Sequence, residues 1–251
     1  MKWLWAPLET AGGTVLLLLR VLRHLPSLPR QLPRLIDQCF QIGWATVPII
    51  VILSFFIGAV LALQTGDGMS SFGGFKVFIG SIVGLSLSKE LGPVMSAFLL
   101  AGRVGSAMTA ELASMKVYQE IDALRTMSIP AERILVLPRL AAVMLMMPLL
   151  TAIAIVVGWV GGAVIAEHVD FINVSPDSYW RSLRTIVSFD IFVDGLIKGE
   201  IFGIFVVLLC CYTGLRTSGG AREIGAAVTR AVVSSMIFIL IADYVITNVL
   251  L

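Results

Sequence analysis

Several ionisable residues of this chain stand inside long apolar stretches. Lys89 and Glu90 are flanked by twelve uncharged residues on each side. Pro93 follows closely and has no N–H, so the Lys89 carbonyl loses its helical donor and a kink is expected there. At membrane depth such charges cost about 2.5–3.5 kcal/mol each on insertion scales. Residues this costly point to a function or to mutual pairing.

Two further apolar stretches carry charge at depth. Asp194 and Lys198 are four residues apart and share a helix face. Asp243 lies thirteen residues after Arg230, or about 20 Å along a helix. Counted from opposite ends of their stretches, Lys198 and Asp243 reach similar depths. Three interpretations stay open: a polar cavity for a substrate with a charged or zwitterionic headgroup, pairing that holds the bundle together, and a proton relay.

The composition excludes most soluble classes. Of the 251 residues, 58% are hydrophobic and 14% are charged, whereas a soluble domain carries about 25% charged residues. So few charges cannot coat a soluble surface. An ordinary cytosolic enzyme, a disordered chain and a nucleic-acid binder are therefore excluded, and a membrane-embedded protein is predicted.

Five stretches are long and apolar enough to be membrane helices. A bilayer core needs about 20 apolar residues in a helix, and lipid offers no partner for backbone polar groups. We predict an all-α integral membrane protein with spans at about 43–64, 77–102, 140–166, 191–215 and 231–251. Residues 8–25 are shorter and end in prolines and arginines, which favours an interfacial helix along the membrane. A sixth span is the competing interpretation.

The basic residues predict the orientation. Thirteen Lys and Arg residues lie in the N-terminal arm and in the loops after the second and fourth spans, against three in the opposite loops. By the positive-inside rule the N-terminus is cytoplasmic and the C-terminus faces outward. An odd number of spans argues against the inverted repeats of many secondary transporters.

The loop after the second span is rich in helix formers over 107–127. A helix carried on the cytoplasmic face predicts a docking element for a partner, with an ordinary surface helix as the alternative. The chain has no G-x-x-x-x-G-K-[ST] sequence to cradle ATP phosphates. Any ATP must therefore be hydrolysed by another chain.

Several motifs, spread over most of the chain from about residue 40, resemble the MlaE/YrbE family of ABC transporter permeases. They are K-E-L-G-P-V at 89–94, A-G-R-V-G-S-A at 101–107, A-E-L at 110–112, E-I-D-A-L at 120–124, T-S-G-G-A at 217–221 and T-R-A-V-V at 229–233.

The resemblance implies one permease domain over residues 1–251, with an N-terminal elbow helix, five membrane helices and a coupling helix at about 107–127. It implies a homodimer in the bacterial inner membrane that binds a cytoplasmic ABC ATPase, an MCE-type periplasmic lipid-binding protein and a small STAS-type subunit. ATP and Mg would be held by the ATPase, with no cofactor in this chain. The complex would move phospholipid and so maintain outer-membrane lipid asymmetry.

The resemblance also places residues. Glu90, Lys198 and Asp243 correspond to polar family residues in or near the lipid-binding region, and Lys89 stands where the family often has Arg, so a bidentate phosphate contact is less expected there. We expect the carboxylates to keep the lysines paired when the site is empty. The predicted cavity-lining set is Lys89, Glu90, Pro93, Asp194, Lys198 and Asp243. The predicted ATPase-coupling set is Arg103, Glu111, Met115, Glu120, Asp122 and Arg125.

Two rival functions are also consistent with these residues. A proton-coupled secondary transporter would use Glu90 and Asp243 as relay groups and would need no ATPase. A non-transporting membrane anchor for an ATPase would tolerate apolar residues in place of the charges at depth.

Overall fold

The computed structural model describes residues 2–70, 75–170 and 172–250, and within these residues the chain is helical with no strand. The last residue of the predicted span 231–251 lies outside the described residues. The α-helices are α1 (Lys2–Arg23), α2 (Leu32–Cys39), α3 (Val47–Ser70), α4 (Ile79–Ser86), α5 (Gly92–Leu99), α6 (Ser106–Val117), α7 (Glu120–Thr126), α8 (Leu137–His168), α9 (Pro176–Ile186), α10 (Phe189–Leu215) and α11 (Ala221–Leu250).

Shorter helical segments join several of these helices. Segments of 3-10 helix run over Leu25–Gln31 and Phe75–Phe78. π-Helical turns occupy Phe40–Trp44, Leu87–Leu91, Leu100–Gly105 and Glu132–Val136. Because such turns shift the register of the helix around them, they mark places where long membrane helices change direction or carry function.

Four continuous helical stretches are long and apolar enough to cross a membrane: Leu32–Met69, Lys76–Val117, Glu132–His168 and Ala221–Val249. They include the predicted spans 43–64, 77–102 and 140–166, and nearly all of 231–251. The predicted span 191–215 lies in α10, which is helical over 27 residues but is not among the four. The all-helical class is confirmed, and the number of five spans stays a prediction.

The N-terminal segment predicted as an interfacial helix at 8–25 is α1, which runs over Lys2–Arg23. It ends before a 3-10 helix that contains Pro29, consistent with the proline-rich stop in the sequence. Whether α1 lies along the membrane surface stays a prediction.

The predicted coupling helix 107–127 is divided in two. α6 continues directly from the second membrane stretch and ends at Val117, and α7 begins at Glu120. Gln119 between them has φ 63°, in the left-handed region. A non-glycine residue in that conformation ends one helix and turns the chain before the next begins.

The chain divides into two compact units, each built from separate segments. Unit 1 contains Met1–Trp44, Ala97–Met146 and Ile201–Leu251, and unit 2 contains Ala45–Ser96 and Met147–Glu200. The prediction of a single permease domain over 1–251 stays a prediction.

Close helix contacts in unit 2 depend on glycine. A Cβ on Gly80 would overlap the Tyr179 carbonyl, and one on Gly84 would lie 2.8 Å from Leu183, so α4 packs closely on α9. Gly158 and Gly162 similarly bring α8 against its neighbours. Both are G-x-x-x-G pairs, and they serve the close approach that such pairs permit.

Helix α9 is an element that the sequence analysis did not predict. Pro176 begins it, and the Ser175 side chain accepts a hydrogen bond from the Ser178 N–H at 3.4 Å. A serine cap followed by proline at the first helical position is a recognised start signal. The helix is fixed to α4 by a 2.7 Å bond from the Ser81 hydroxyl to the Ser182 carbonyl.

Candidate functional site

The π-helical turn Leu87–Leu91 carries Lys89 and Glu90, and Pro93 stands just beyond it in α5. Proline at this position removes the N–H that would bond the Lys89 carbonyl in an α-helix. In the structure that carbonyl accepts a hydrogen bond from the Lys198 ammonium at 3.1 Å. The backbone group exposed by Pro93 is therefore used by a side chain of another helix.

Glycines on α10 bring Lys198 to this turn. A Cβ on Gly195 would overlap the backbone carbonyl of Ser88, and one on Gly199 would lie 2.5 Å from the Thr151 hydroxyl. Without side chains at these two positions, the α10 backbone can approach α8 and the π-helical turn directly. Lys198 lies between them in the sequence and points its ammonium at the turn.

Lys198 and Glu90 form an ion pair with a Nζ–Oε1 distance of 2.9 Å. The Lys198 side chain is 4% exposed, whereas that of Glu90 is 37% exposed. The ammonium is thus enclosed, and the carboxylate is the more accessible member of the pair. An anionic ligand that approached this surface would meet the carboxylate first and could reach the cation by displacing it.

A buried hydroxyl pair that was not predicted joins Ser96, on the same helix as Pro93, to Thr151 of α8. Ser96 Oγ lies 3.0 Å from Thr151 Oγ1 and 2.9 Å from the Pro93 carbonyl. Both side chains are almost fully buried. Their bond ties α5 to α8 and so fixes the helix that carries the charged turn.

The other predicted cavity residues belong to both units. Lys89 and Asp194 are half-buried in unit 2, and Pro93 is buried there. Asp243 is half-buried on α11, in unit 1. Glu200, which the sequence analysis did not select, is half-buried on α10, and its Oε2 has no hydrogen-bond partner among the described atoms.

The predicted coupling residues lie on α6, α7 and the π-helical turn before α6, all in unit 1. Lys116 at the end of α6 donates to both carboxylate oxygens of Asp122 at 2.8 Å, and Arg125 lies 3.5 Å from the same carboxylate. The hydrogen bond from Lys116 lowers the pKa of Asp122 below its ordinary value. Ion pairs therefore fix the angle at which α7 leaves α6.

The remaining members of the coupling set are less closely connected. Glu111 pairs with the buried Arg139 at 2.7 Å. Glu120 is exposed, and Arg103 and Met115 are half-buried. Two exposed apolar side chains flank α7 and were missed from the sequence: Tyr118 is 70% and Met127 68% exposed. Exposed large apolar residues beside charges are typical of a docking surface.

These features define a class. The chain has several apolar helices long enough to cross a membrane, and it buries a lysine against a carboxylate and a freed backbone carbonyl on such a helix. It is a multi-pass helical membrane protein with a charged site inside its helices.

Comparison with known proteins gives the family. A family model described as Permease MlaE matches residues 35–249. A probable ABC transporter permease protein of Rickettsia typhi is 38% identical over 222 residues, which cover 88% of this chain and 85% of the relative. The intermembrane phospholipid transport system permease protein MlaE of Haemophilus influenzae is 33% identical over 227 residues, covering 90% and 85%. The chloroplastic protein TRIGALACTOSYLDIACYLGLYCEROL 1 of Arabidopsis thaliana is 33% identical over 252 residues, covering 98% and 69%.

The chain therefore belongs to the MlaE permease family. It is an ABC transporter permease rather than an enzyme.

Proposed function

We propose that the chain is the membrane subunit of an ABC transporter that moves phospholipid between the inner membrane and an MCE-type periplasmic lipid-binding protein. Two copies would form the transport cavity, and the complex would maintain outer-membrane lipid asymmetry. The name of the Haemophilus relative, an intermembrane phospholipid transport system permease, supports a phospholipid substrate. The N-terminus would be cytoplasmic and the C-terminus periplasmic.

The observation that carries the proposal is the asymmetric burial of the Glu90–Lys198 pair. A buried ammonium is costly unless it is paired, so Glu90 serves as a counter-ion of Lys198 when no ligand is present. A lipid phosphate can replace the carboxylate as the counter-ion, and the apolar helix surfaces around the site can hold acyl chains. Lys89 and Asp194, half-buried in the same unit, would adjust the electrostatic potential at this pair.

The α6–α7 segment would connect this site to ATP hydrolysis. A partner ATPase holding ATP and Mg would bind the exposed surface around Tyr118 and Met127, with Glu120 and Arg125 at its edge. α6 belongs to one uninterrupted helical stretch, Lys76–Val117, that also contains the π-helical turn of Glu90. A push on α7 can therefore be carried along this stretch toward the charged turn. A small STAS-type subunit on the cytoplasmic side is a further expected partner.

The decisive experiment is lipid transfer by the assembled complex. The chain, its ATPase and its MCE partner would be reconstituted in vesicles, and transfer of a fluorescent phospholipid would be followed with ATP. We expect Lys198→Ala and Glu90→Ala to reduce transfer strongly, and the control Glu200→Gln, on the same helix, to retain it. Wild-type transfer by both alanine variants would overturn the site assignment.

The same preparation tests the rival functions. Transport driven by a pH gradient in the absence of any ATPase would replace the proposal with a proton-coupled transporter. ATPase binding without transfer of any lipid would indicate an anchor. Purification of the chain in mild detergent, followed by identification of the co-purifying proteins, would reveal whether an ATPase and an MCE protein accompany it.

A further inference from the structure

A groove with polar and apolar side chains in its lining lies in unit 1, among α1, α10 and α11. Its volume is about 870 Å³, within the range of about 300–1,000 Å³ typical of ligand pockets. Its lining includes Arg216 and Arg230, several hydroxyl side chains and an apolar remainder. The proposed transport site uses none of these residues.

The arginines lie toward one end of the groove. α10 and α11 run antiparallel, because the Phe205 ring lies 4.5 Å from that of Phe238 and Cys210 Sγ lies 3.7 Å from Ser235 Oγ. Arg216 is eleven residues after Phe205, or about 16 Å along α10. Arg230 is eight residues before Phe238, or about 12 Å along α11 in the same direction.

The opposite end of the groove is apolar. It is lined by Phe205, Phe238 and Ile241, with Leu209 and Ile237 nearer the arginines. From Arg230 to Ile241 is about 16 Å, close to the thickness of one leaflet, which is half of a core about 30 Å thick. The groove thus has the polarity and length of one half of a bilayer.

The α1 wall of the groove is fixed by close packing. A Cβ on Gly13 would overlap the Tyr212 ring, so α1 approaches α10 directly at this point. The Tyr212 hydroxyl accepts a hydrogen bond from Arg216 NH1, and the guanidinium lies 5.3 Å from the centre of the ring. This arrangement orients Arg216 at the groove.

The charges at the polar end suit an anion. Arg230 NH2 lies 3.9 Å from Glu223 Oε2, and both side chains are about half exposed. Exposed pairs of this kind contribute little to stability, so a phosphate can take the place of the carboxylate at low cost. Basic pockets between membrane helices on the cytoplasmic side are a recognised form of anionic lipid site.

We propose that this groove binds an anionic phospholipid of the cytoplasmic leaflet, with its phosphate at Arg216 and Arg230 and one acyl chain along Phe205 and Phe238. The predicted orientation places Arg216 and Arg230 on the cytoplasmic side. The site is separate from Glu90 and Lys198. It holds a lipid whether or not the transport proposal is correct.

Photo-crosslinking tests this site on the full chain. The chain is reconstituted in phosphatidylcholine vesicles that contain a trace of one photoreactive lipid. That lipid is either phosphatidylglycerol or phosphatidylcholine, each with the same photoreactive acyl chain. After illumination, the labelled peptides are mapped. We expect phosphatidylglycerol to label residues 205–209 and 237–241. Arg216→Gln with Arg230→Gln should reduce this labelling by about thirtyfold, which corresponds to about 1 kcal/mol for each arginine near an anionic lipid.

The matched control removes the same charge elsewhere. Arg23→Gln with Arg222→Gln changes two exposed arginines of unit 1 that do not line the groove, and it should leave labelling unchanged. Ser234→Trp fills the groove without touching the arginines and should abolish labelling while the helical content is retained.

Three results would overturn the proposal. One is equal labelling by the two lipids, and another is labelling that survives both the arginine double variant and Ser234→Trp. The third is a disulfide between two copies through Ile237→Cys with no lipid label, which would make the groove a contact between subunits. None of these results bears on lipid transfer through the Glu90 site, so the two proposals fail separately.

Discussion

The Lys198 ammonium lies 2.9 Å from the Glu90 carboxylate and 3.1 Å from the Lys89 carbonyl oxygen. One side chain of α10 therefore satisfies a charge and a backbone acceptor on the same π-helical turn. The cation is enclosed and the anion is accessible, so removing the two partners should have different consequences.

Glu90→Ala should destabilise the chain more than Lys198→Met. The alanine leaves an enclosed ammonium without its carboxylate, for which we expect a loss of about 3 kcal/mol in the free energy of unfolding. Lys198→Met leaves a carboxylate that is already partly exposed. The methionine side chain also fills the space of the lysine stem. The stability of Glu90→Gln should lie between those of wild type and Glu90→Ala, because the glutamine amide oxygen can still accept a hydrogen bond from Lys198.

Thermal unfolding of the purified chain in one detergent would rank these variants. A larger loss for Lys198→Met than for Glu90→Ala would show that the lysine is not held by the carboxylate.

Gly195→Ala should separate α10 from the π-helical turn. The new methyl group would overlap the Ser88 backbone carbonyl, which cannot move aside as a flexible side chain can. Overpacking of this kind costs about 1–3 kcal/mol, and the shift should also weaken the Lys198–Glu90 contact and hence lipid transfer.

Gly68→Ala is the matched control, because a Cβ at Gly68 meets nothing within 4 Å. Alanine in an exposed helix is favoured over glycine by about 0.5–1 kcal/mol, so this variant should be neutral or slightly more stable in the same unfolding assay. Equal stability of the two variants would contradict the close approach at Gly195.

The sequence was sufficient to find the charged turn but not the helix contact that brings its ion pair together. Pro93 predicted a Lys89 carbonyl without its helical donor, and the apolar surroundings marked Glu90 and Lys198 as unusual. The expected pairing of carboxylates with lysines is seen for Lys198 and Glu90. That contact depends on Gly195, which sets the approach of α10 to a turn about one hundred residues earlier in the chain. Spacing within one segment carries no such information.

The coupling segment shows a second limit. Helix formers over 107–127 predicted a helix, and α6 and α7 do occupy most of that range. The break between them depends on a left-handed glutamine, a conformation that residue type does not indicate. Tertiary contacts, including the bond from Lys116 to Asp122, hold the turn in place.

Arg139 and Glu111 should be coupled in stability. Their atoms NH2 and Oε2 lie 2.7 Å apart, with the arginine 3% and the glutamate 58% exposed. Glu111→Ala leaves a buried guanidinium without this carboxylate, and because the carboxylate itself is exposed we expect a cost of about 1–3 kcal/mol, between the values for exposed and buried pairs. The same change in an Arg139→Met background should cost much less.

A double-mutant cycle measured by thermal unfolding isolates the interaction. Additive effects of Glu111→Ala and Arg139→Met would refute the coupling between α6 and the start of α8.

Acid should loosen α7. Lys116 donates to both oxygens of Asp122 and lowers its pKa in the folded chain. The folded pKa is therefore below the unfolded value of about 3.9. It follows that the contact contributes full stability above the unfolded pKa and loses it as the pH falls through the folded pKa.

Amide hydrogen exchange tests this prediction. The protection of the α7 amides, taken relative to the intrinsic exchange rate at each pH, should be constant near neutrality and should decrease at acid pH. Asp122→Asn should remove this acid dependence, and Lys116→Met should move the Asp122 titration, followed by carboxyl NMR, up toward the ordinary aspartate range. An Asp122 midpoint that does not respond to Lys116→Met would show that another group sets its pKa and that the bond does not fix the α6–α7 turn.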